Sequence, residues 1–303
     1  MEAFAGKNGF IWFQGVVEDR NDPEQLGRVR VRCLGFHTEN KQDLPTEDLP
    51  WAYPVQPITS AAMSGIGDAP VGPVEGTWVF GFFRDGESAQ EPMFLGTLGG
   101  VSLKKANQKE GFNDPNGTYP LEEFLNEPDT NRMARGVQEG TYVEFKKDPE
   151  YLDKMETAGG LGGGEEINEP ETPYDAKYPF NHVKFTESGH LDEMDDTPGA
   201  ERLHRYHRSG TFEEIHPDGK KVVKIVGDQY EVVIKDNNLH VVGKMNVTVE
   251  GDASLYVKGN CTAQVDGDSE HLVAGSIKIN SGESIEINAS DNIVMKASNI
   301  KLN

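Results

Sequence analysis

Three histidines crowd one short stretch of this sequence: His204 and His207 in LHRYHRSG, and His216 just beyond. Imidazole is the commonest protein ligand for transition metals, so a metal centre is the first chemistry to weigh. The spacing is not that of a zinc site, and no cysteine lies nearby. Packing or inter-chain hydrogen bonding is the better reading. The glycine run GGLGGG lacks the Lys-Ser/Thr that would make it a phosphate cradle. Asn246 opens an NVT triplet, which without a secretory signal is a chance glycosylation match. Arg28, Arg30 and Arg32 alternate through GRVRVRC and could face a phosphate backbone. They stand among 14 acids against 7 bases in the first hundred residues, in a chain of net charge −22. No nucleic acid partner is expected, because binding one needs a basic footprint.

The elements that must carry these residues differ along the chain. Five short runs in the first hundred residues, FIWFQGVVEDR, GRVRVRCLGF, PWAYPVQPIT, EGTWVFGFFRDG and EPMFLGTLGG, are rich in β-branched and aromatic residues and punctuated by Gly, Pro, Asn and Asp. They suit a five-stranded Greek-key barrel of the OB type over 1–100. GRVRVRC has the period-2 alternation of a half-buried strand. Residues 101–201 have weak periodicity and the strongest excess of acid, and they include GGLGGGEEINEPETP. That is linker composition, read as an extended acidic wrapping segment. The two cysteines, Cys33 and Cys261, are far apart, which points to folding in a reducing cytoplasm. The N-terminal MEAFAGKNGFIWFQG lacks the features of a signal peptide, and no apolar run approaches the ~18 residues of a membrane span.

Residues 202–303 carry the plainest pattern. Glycine recurs every eight residues at Gly243, Gly251, Gly259, Gly267 and Gly275, with a valine two places before each. The lattice reaches back to Gly219 and Gly227, skips at Lys235, and continues at Glu283, Asp291 and Asn299, with Gly282 one step off. Eight is a multiple of two and not of 3.6, so the run is β. Aliphatic residues such as Val249, Val257, Val265, Ile277 and Ile287 fall at odd positions, with Lys, Asn, Thr and Glu opposite. Cys261 and His271 are odd too, and three copies of His271 meeting near an axis could hold an ion, although a hydrated polar interruption of the core is the simpler reading. Gly227, Gly243, Gly251, Gly259, Gly267 and Gly275 read as repeated corners between short strands. An octad is short for a complete coil of a single-chain solenoid. It suits one face of a prism whose other faces come from other chains.

At this point a family resemblance becomes specific. The octad run resembles the needle of contractile-tail phage central spikes and the related valine–glycine repeat spikes of type VI secretion. WFQGVVEDRNDPEQLGRVRVR, LPTEDLPWAYPVQPITSAAMSGIG and GPVEGTWVFGFF are similar to the N-terminal OB domain of the T-even-type spike, and DDTPGAERLHRYHRSGTFEEIHPDG resembles that family's lead-in to the needle. Only about 120–175 is left out. The resemblance implies an all-β chain: an OB barrel, a linker, and an intertwined trimeric β-helix forming a triangular prism. It implies a homotrimer in the virion's tail baseplate, assembled in the host cytoplasm. The barrel would dock a hub protein, a small tip protein would meet Ile300, Lys301, Leu302 and Asn303, and the needle would pierce the host outer membrane. A type VI spike delivering effectors is the alternative.

The T-even-type spike also carries a lysozyme domain between barrel and needle. Its motif needs a general-acid Glu, an Asp nine residues on and a Thr six further. Glu139 and Asp148 have the first spacing, but Lys154 stands where Thr should be. About fifty residues remain there, too few for a core that would raise a carboxyl pKa. The resemblance therefore implies a spike without the enzyme insert, with no catalytic residue, cofactor or metal; an active tail lysozyme is the disfavoured alternative.

Overall fold

The computed structural model describes residues 9–64, 67–100, 106–122, 129–138 and 170–301. Five strands, β1 (Ile11–Asp19), β2 (Val29–Cys33), β3 (Trp51–Pro54), β4 (Trp78–Phe83) and β5 (Pro92–Thr97), close a barrel in the order β1-β2-β3-β5-β4. These are the five runs expected from the sequence. β3 and β5 pair in parallel; the other barrel pairs are antiparallel. Phe13, Val17, Val29, Val31, Cys33, Ala52, Val79, Phe83 and Phe94 fill the interior. Gly15 and Gly81 are required by close approach. A Cβ at Gly81 would stand 2.0 Å from the Met93 carbonyl oxygen, and one at Gly15 2.7 Å from that of Arg32.

The outer side of β2 corrects the half-buried reading. Arg28 and Arg32 are buried, each in an ion pair. Arg32 Nε donates to Glu18 Oε1 at 2.7 Å and to the Gly111 carbonyl at 3.1 Å. Gly111 belongs to a strap from the segment expected to be an extended acidic linker that wraps. Phe112 and Asp114 of that strap are buried, and Lys41 donates to Asn113 at 3.0 Å.

A second sheet follows in the order β10-β9-β8-β7-β6, antiparallel throughout: β6 (Asn181–Phe185), β7 (Leu191–Asp195), β8 (Arg202–Tyr206), β9 (Phe212–Ile215) and β10 (Lys221–Lys224). It begins at Asn181, well ahead of the expected boundary at residue 202. β6 and β7 were missed because NHVKF is short and mostly polar and LDEMD has acids at three of its five positions. The short helix α1 (Asp129–Ala134) and the 170–176 segment cover one face, with Met133, Tyr174, Ala176 and Leu191 as its core. Arg20, at the end of β1, makes two hydrogen bonds to Glu187 in the β6–β7 turn, at 2.8 and 2.9 Å, and an ion pair to Glu75 at 3.3 Å.

The chain divides into two compact units. The barrel and this sheet belong to the first, and residues 231–303 to the second. No helix among the described residues is long and apolar enough to cross a membrane.

Candidate functional site

The octad region has a structure of its own. Bends fall at 226–227, 234–235, 242–243, 250–251, 258–259, 266–267, 274–275, 282–283, 290–291 and 298, with no helix or strand between them. Every expected corner is a bend: Gly227, Gly243, Gly251, Gly259, Gly267 and Gly275. Lys235, where the glycine lattice skips, bends as well, and so do Glu283 and Asp291. Gly282 occupies the first place of its bend and not the second.

The bends do not need glycine for its dihedral freedom. None of these glycines has φ in the left-handed region, and a Cβ built on any of them meets nothing within 4 Å in its own chain. Gly219 shares the spacing for a different reason. It has φ +79° in the turn between β9 and β10, where its N–H donates to the His216 carbonyl at 2.9 Å. A lattice read from spacing alone merges two kinds of glycine.

No strand ladder pairs the described residues after Lys224 with one another. In a single-chain solenoid successive rungs would pair. The odd-position aliphatics stand open in the single chain, Val257 at 44% exposure and Ile279 at 71%. Cys261 and His271 are exposed with them, His271 Nε2 lying 3.4 Å from Ser269 Oγ. Ile300 and Lys301 are exposed; Leu302 and Asn303 lie outside the described residues.

Ahead of this region in sequence, the second sheet holds a buried ionic network. Glu193, His204 and Glu214 are direct cross-strand neighbours on β7, β8 and β9. His204 Nδ1 is 3.0 Å from Glu193 Oε2, and His216 Nε2 is 3.1 Å from Glu214 Oε2. Arg202 lies between the carboxylates, 2.8 Å from Glu193 and 2.9 Å from Glu214. Asn181 Nδ2 donates to Glu193 Oε1 and Thr172 Oγ1 to Glu214 Oε1, both at 2.9 Å. Arg202 sits over the Tyr174 ring, 4.9 Å from its centroid, and burial pushes the Tyr174 hydroxyl pKa up. His204 and His216 are thus held by carboxylates within the sheet. His207 is exposed, bonded to Ser209 at 2.8 Å and packed on the His190 ring. Among the described residues no cluster of three His, Cys, Asp or Glu is arranged to hold a metal. The network ties the 170–176 segment to the sheet; its carboxylates face cations and not a cleft. Sequence spacing could not reveal it, because its members meet through strand register.

The opposite, exposed face of the sheet is apolar at its centre. Met194, Leu203 and Ile215 are cross-strand neighbours, with Val223 beside them on β10. The odd parity of Leu203, Ile215, Val223 and Ile225 is that of the aliphatics further on.

Other candidate chemistry recedes. Arg28 is held by Asp22, Arg32 by Glu18, and Arg30 stacks 4.6 Å from the Trp51 ring centroid while donating to the carbonyls of Thr46, Glu47 and Leu49. All three are held by partners on the outer side of the barrel. Glu139, Asp148, Lys154 and GGLGGG lie outside the described residues.

Comparison with known proteins adds the following. The Gp5 N-terminal OB domain family matches residues 35–176, from just after β2 through the strap. The chain is 48% identical over 269 residues to protein Gp5 of Vibrio phage KVP40, covering 80% of this chain and 64% of that protein. It is 50% identical over 138 residues to the pre-baseplate central spike protein Gp5 of Enterobacteria phage T4, covering 44% of this chain and 23% of that protein. The chain thus spans less than two thirds of the length of each relative.

Proposed function

We propose that the chain is the central spike of a contractile-tail baseplate, a reading supported by its match to the Gp5 N-terminal OB domain family and its similarity to the Gp5 proteins of two phages. In this reading it is a homotrimeric, non-enzymatic structural part of the virion. The barrel docks the spike on the baseplate hub. Three octad regions wind into one triangular prism, a β-helix, that pierces the host outer membrane when the sheath contracts.

The observation that carries the reading is the bend at every eighth residue, with glycine at corners where the chain itself leaves room for a side chain. The cause of the glycines then lies outside the chain. Neighbouring copies crossing at each corner supply it, and they also cover the open aliphatics and pair the strand edges. The apolar centre of the exposed sheet face, Met194, Leu203 and Ile215, continues the same contact. A prism closed this way has no free edge and no subunit that can unfold alone. His271, Ser269 and Cys261 would face its interior. A tip protein would meet the blunt end at Ile300, Lys301, Leu302 and Asn303.

Two further parts follow from the family. Little chain separates barrel strap and sheet, and Lys154 replaces the motif's threonine, so the lysozyme insert is missing and another component degrades the wall. The phage relatives favour a phage tail over a type VI apparatus.

Native mass measurement tests the assembly. The expected species is three times the 33.4 kDa chain. A monomer at micromolar concentration would sink the reading.

A further inference from the structure

The outer wall of β1 and β4 carries a ladder of exposed aromatic rings. Phe10 and Trp12 stand about half exposed, beside Trp78 and Phe80. Trp12 and Phe80 stack with centroids 5.1 Å apart and planes 2° from parallel. Phe82 meets Phe10 and Trp12 edge-on at 5.2 and 5.7 Å. Gln14, paired with Phe80, is the polar residue among them. Exposed apolar patches of this kind mark interaction sites, whereas scattered exposed side chains need no explanation.

Three observations say what covers the ladder. The β2 side of the barrel is already occupied by the chain's own strap at Gly111 and Phe112. The far end of β1 is engaged too, since Arg20 binds Glu187 of the second sheet. At ~3.3 Å per residue, Phe10 and Trp12 lie roughly 25–35 Å along β1 from that contact, so the ladder stands clear of it. The third observation is charge. By register, Phe10 and Phe82 adjoin the β4–β5 turn, which carries Asp85, Glu87 and Glu91 against Arg84. A second copy of this chain would set acid rim against acid rim.

We infer that the β1–β4 wall centred on Trp12 and Phe80 is the surface by which the barrel grips a different baseplate protein, one with an apolar pocket rimmed by Lys and Arg. Rings from two strands, held rigid by stacking, supply large contact area at little entropic cost, as interface anchors do. The acidic rim steers encounter and rejects self-pairing. The inference rests on the central-spike reading, which supplies the hub as that protein.

The test uses the purified full chain and the purified hub protein of the same baseplate, in sedimentation and titration. Trp12→Thr with Phe80→Thr should weaken hub binding at least about thirtyfold, as expected for truncated anchors. The variant should keep the wild-type oligomeric mass and melting curve. Gln14→Lys, a milder change that leaves the rings in place, should weaken it as well, and Leu203→Thr should not. Added salt should slow association of the wild type. Wild-type hub affinity in both ladder variants overturns the inference and leaves the spike reading standing. Loss of the oligomer in the ladder variants, with hub binding kept, assigns the wall to contacts between copies and overturns it too. A wild-type chain that does not bind the hub at all overturns both.

Discussion

Cys33 and Cys261 give opposite expectations for one reagent. Cys33 is fully buried in the barrel, and burial pushes its thiol pKa up to about 12. The thiolate is the reactive form, so Cys33 is inert in the folded chain. Cys261 is exposed in the single chain, at odd parity in the octad region. In the proposed trimer it would face the interior. Titration with a thiol reagent at pH 8 should therefore find no reactive thiol in the native assembly and two per chain after denaturation. One fast thiol per native chain would mean that the octad region is not closed. Asp22 offers a pH-dependent counterpart. The Arg28 guanidinium, joined by the backbone N–H groups of Leu26, Glu24 and Arg28, holds its carboxyl pKa well below the usual range. A depressed native pKa means that the stabilisation is full above the unfolded value near 4 and is lost as pH falls through the native one. Asp22→Asn should lower the barrel's stability at pH 7 by up to about 3–5 kcal/mol, because buried Arg28 loses its buried carboxylate and keeps only exposed Glu24, 3.3 Å away, and the Tyr53 hydroxyl. Thermal melts from pH 7 to 2 should then fall less steeply for the variant than for the wild type. The alternation of GRVRVRC revealed the strand but not the burial of its arginines. Their partners, Glu18 and Asp22, are separated from them by turns whose closure no local pattern announces.

Gly219 and Gly259 occupy the same eight-residue lattice and should fail in different ways. Gly219 sits at φ +79°, where an L-residue is strained. Gly219→Ala should cost about 1–2 kcal/mol in the β9–β10 hairpin, whatever the oligomeric state. Gly259 has no left-handed φ and open space around it in its own chain. Gly259→Val should leave the isolated chain unstrained and block trimer formation, because the added branches occupy a corner that other copies must cross. Sedimentation separates the two: a trimer with a lowered melting point for Gly219→Ala, and monomer or aggregate for Gly259→Val. Normal trimers from Gly259→Val would show that the corners are not contact points. The barrel strands were legible because each is a dense β-branched and aromatic run bounded by turn residues. The second sheet was only half legible, because its buried face carries Glu193, Arg202, His204 and Glu214 in place of aliphatics. A buried set of ion pairs looks, strand by strand, like a solvated surface. The octad was legible as period and corner, and Lys235 shows that the bend outlasts the glycine.

At the scale of the whole molecule, the two units differ in where their stability comes from. The first unit has its own closed barrel, its own apolar clusters and a buried ionic network, all within one chain. The octad region after Lys224 has no ladder and no buried aliphatic of its own among the described residues. In the proposed trimer its order is gained together with that of its partners, and chains that pair every edge with a neighbour can separate only by unfolding together. Such an assembly is kinetically protected, because partial opening exposes unpaired strands without releasing a subunit. The unheated protein should accordingly run as a trimer in dodecyl sulfate and collapse to the single chain on boiling. A chain truncated after Ile225 should lose this resistance and keep the barrel's near-ultraviolet signal, since Trp12, Trp51 and Trp78 and the core behind them are all retained. Resistance that survives the truncation would place the trimer contact in the first unit, on the Met194–Leu203–Ile215 face, and reduce the octad region to an extension of an assembly formed elsewhere.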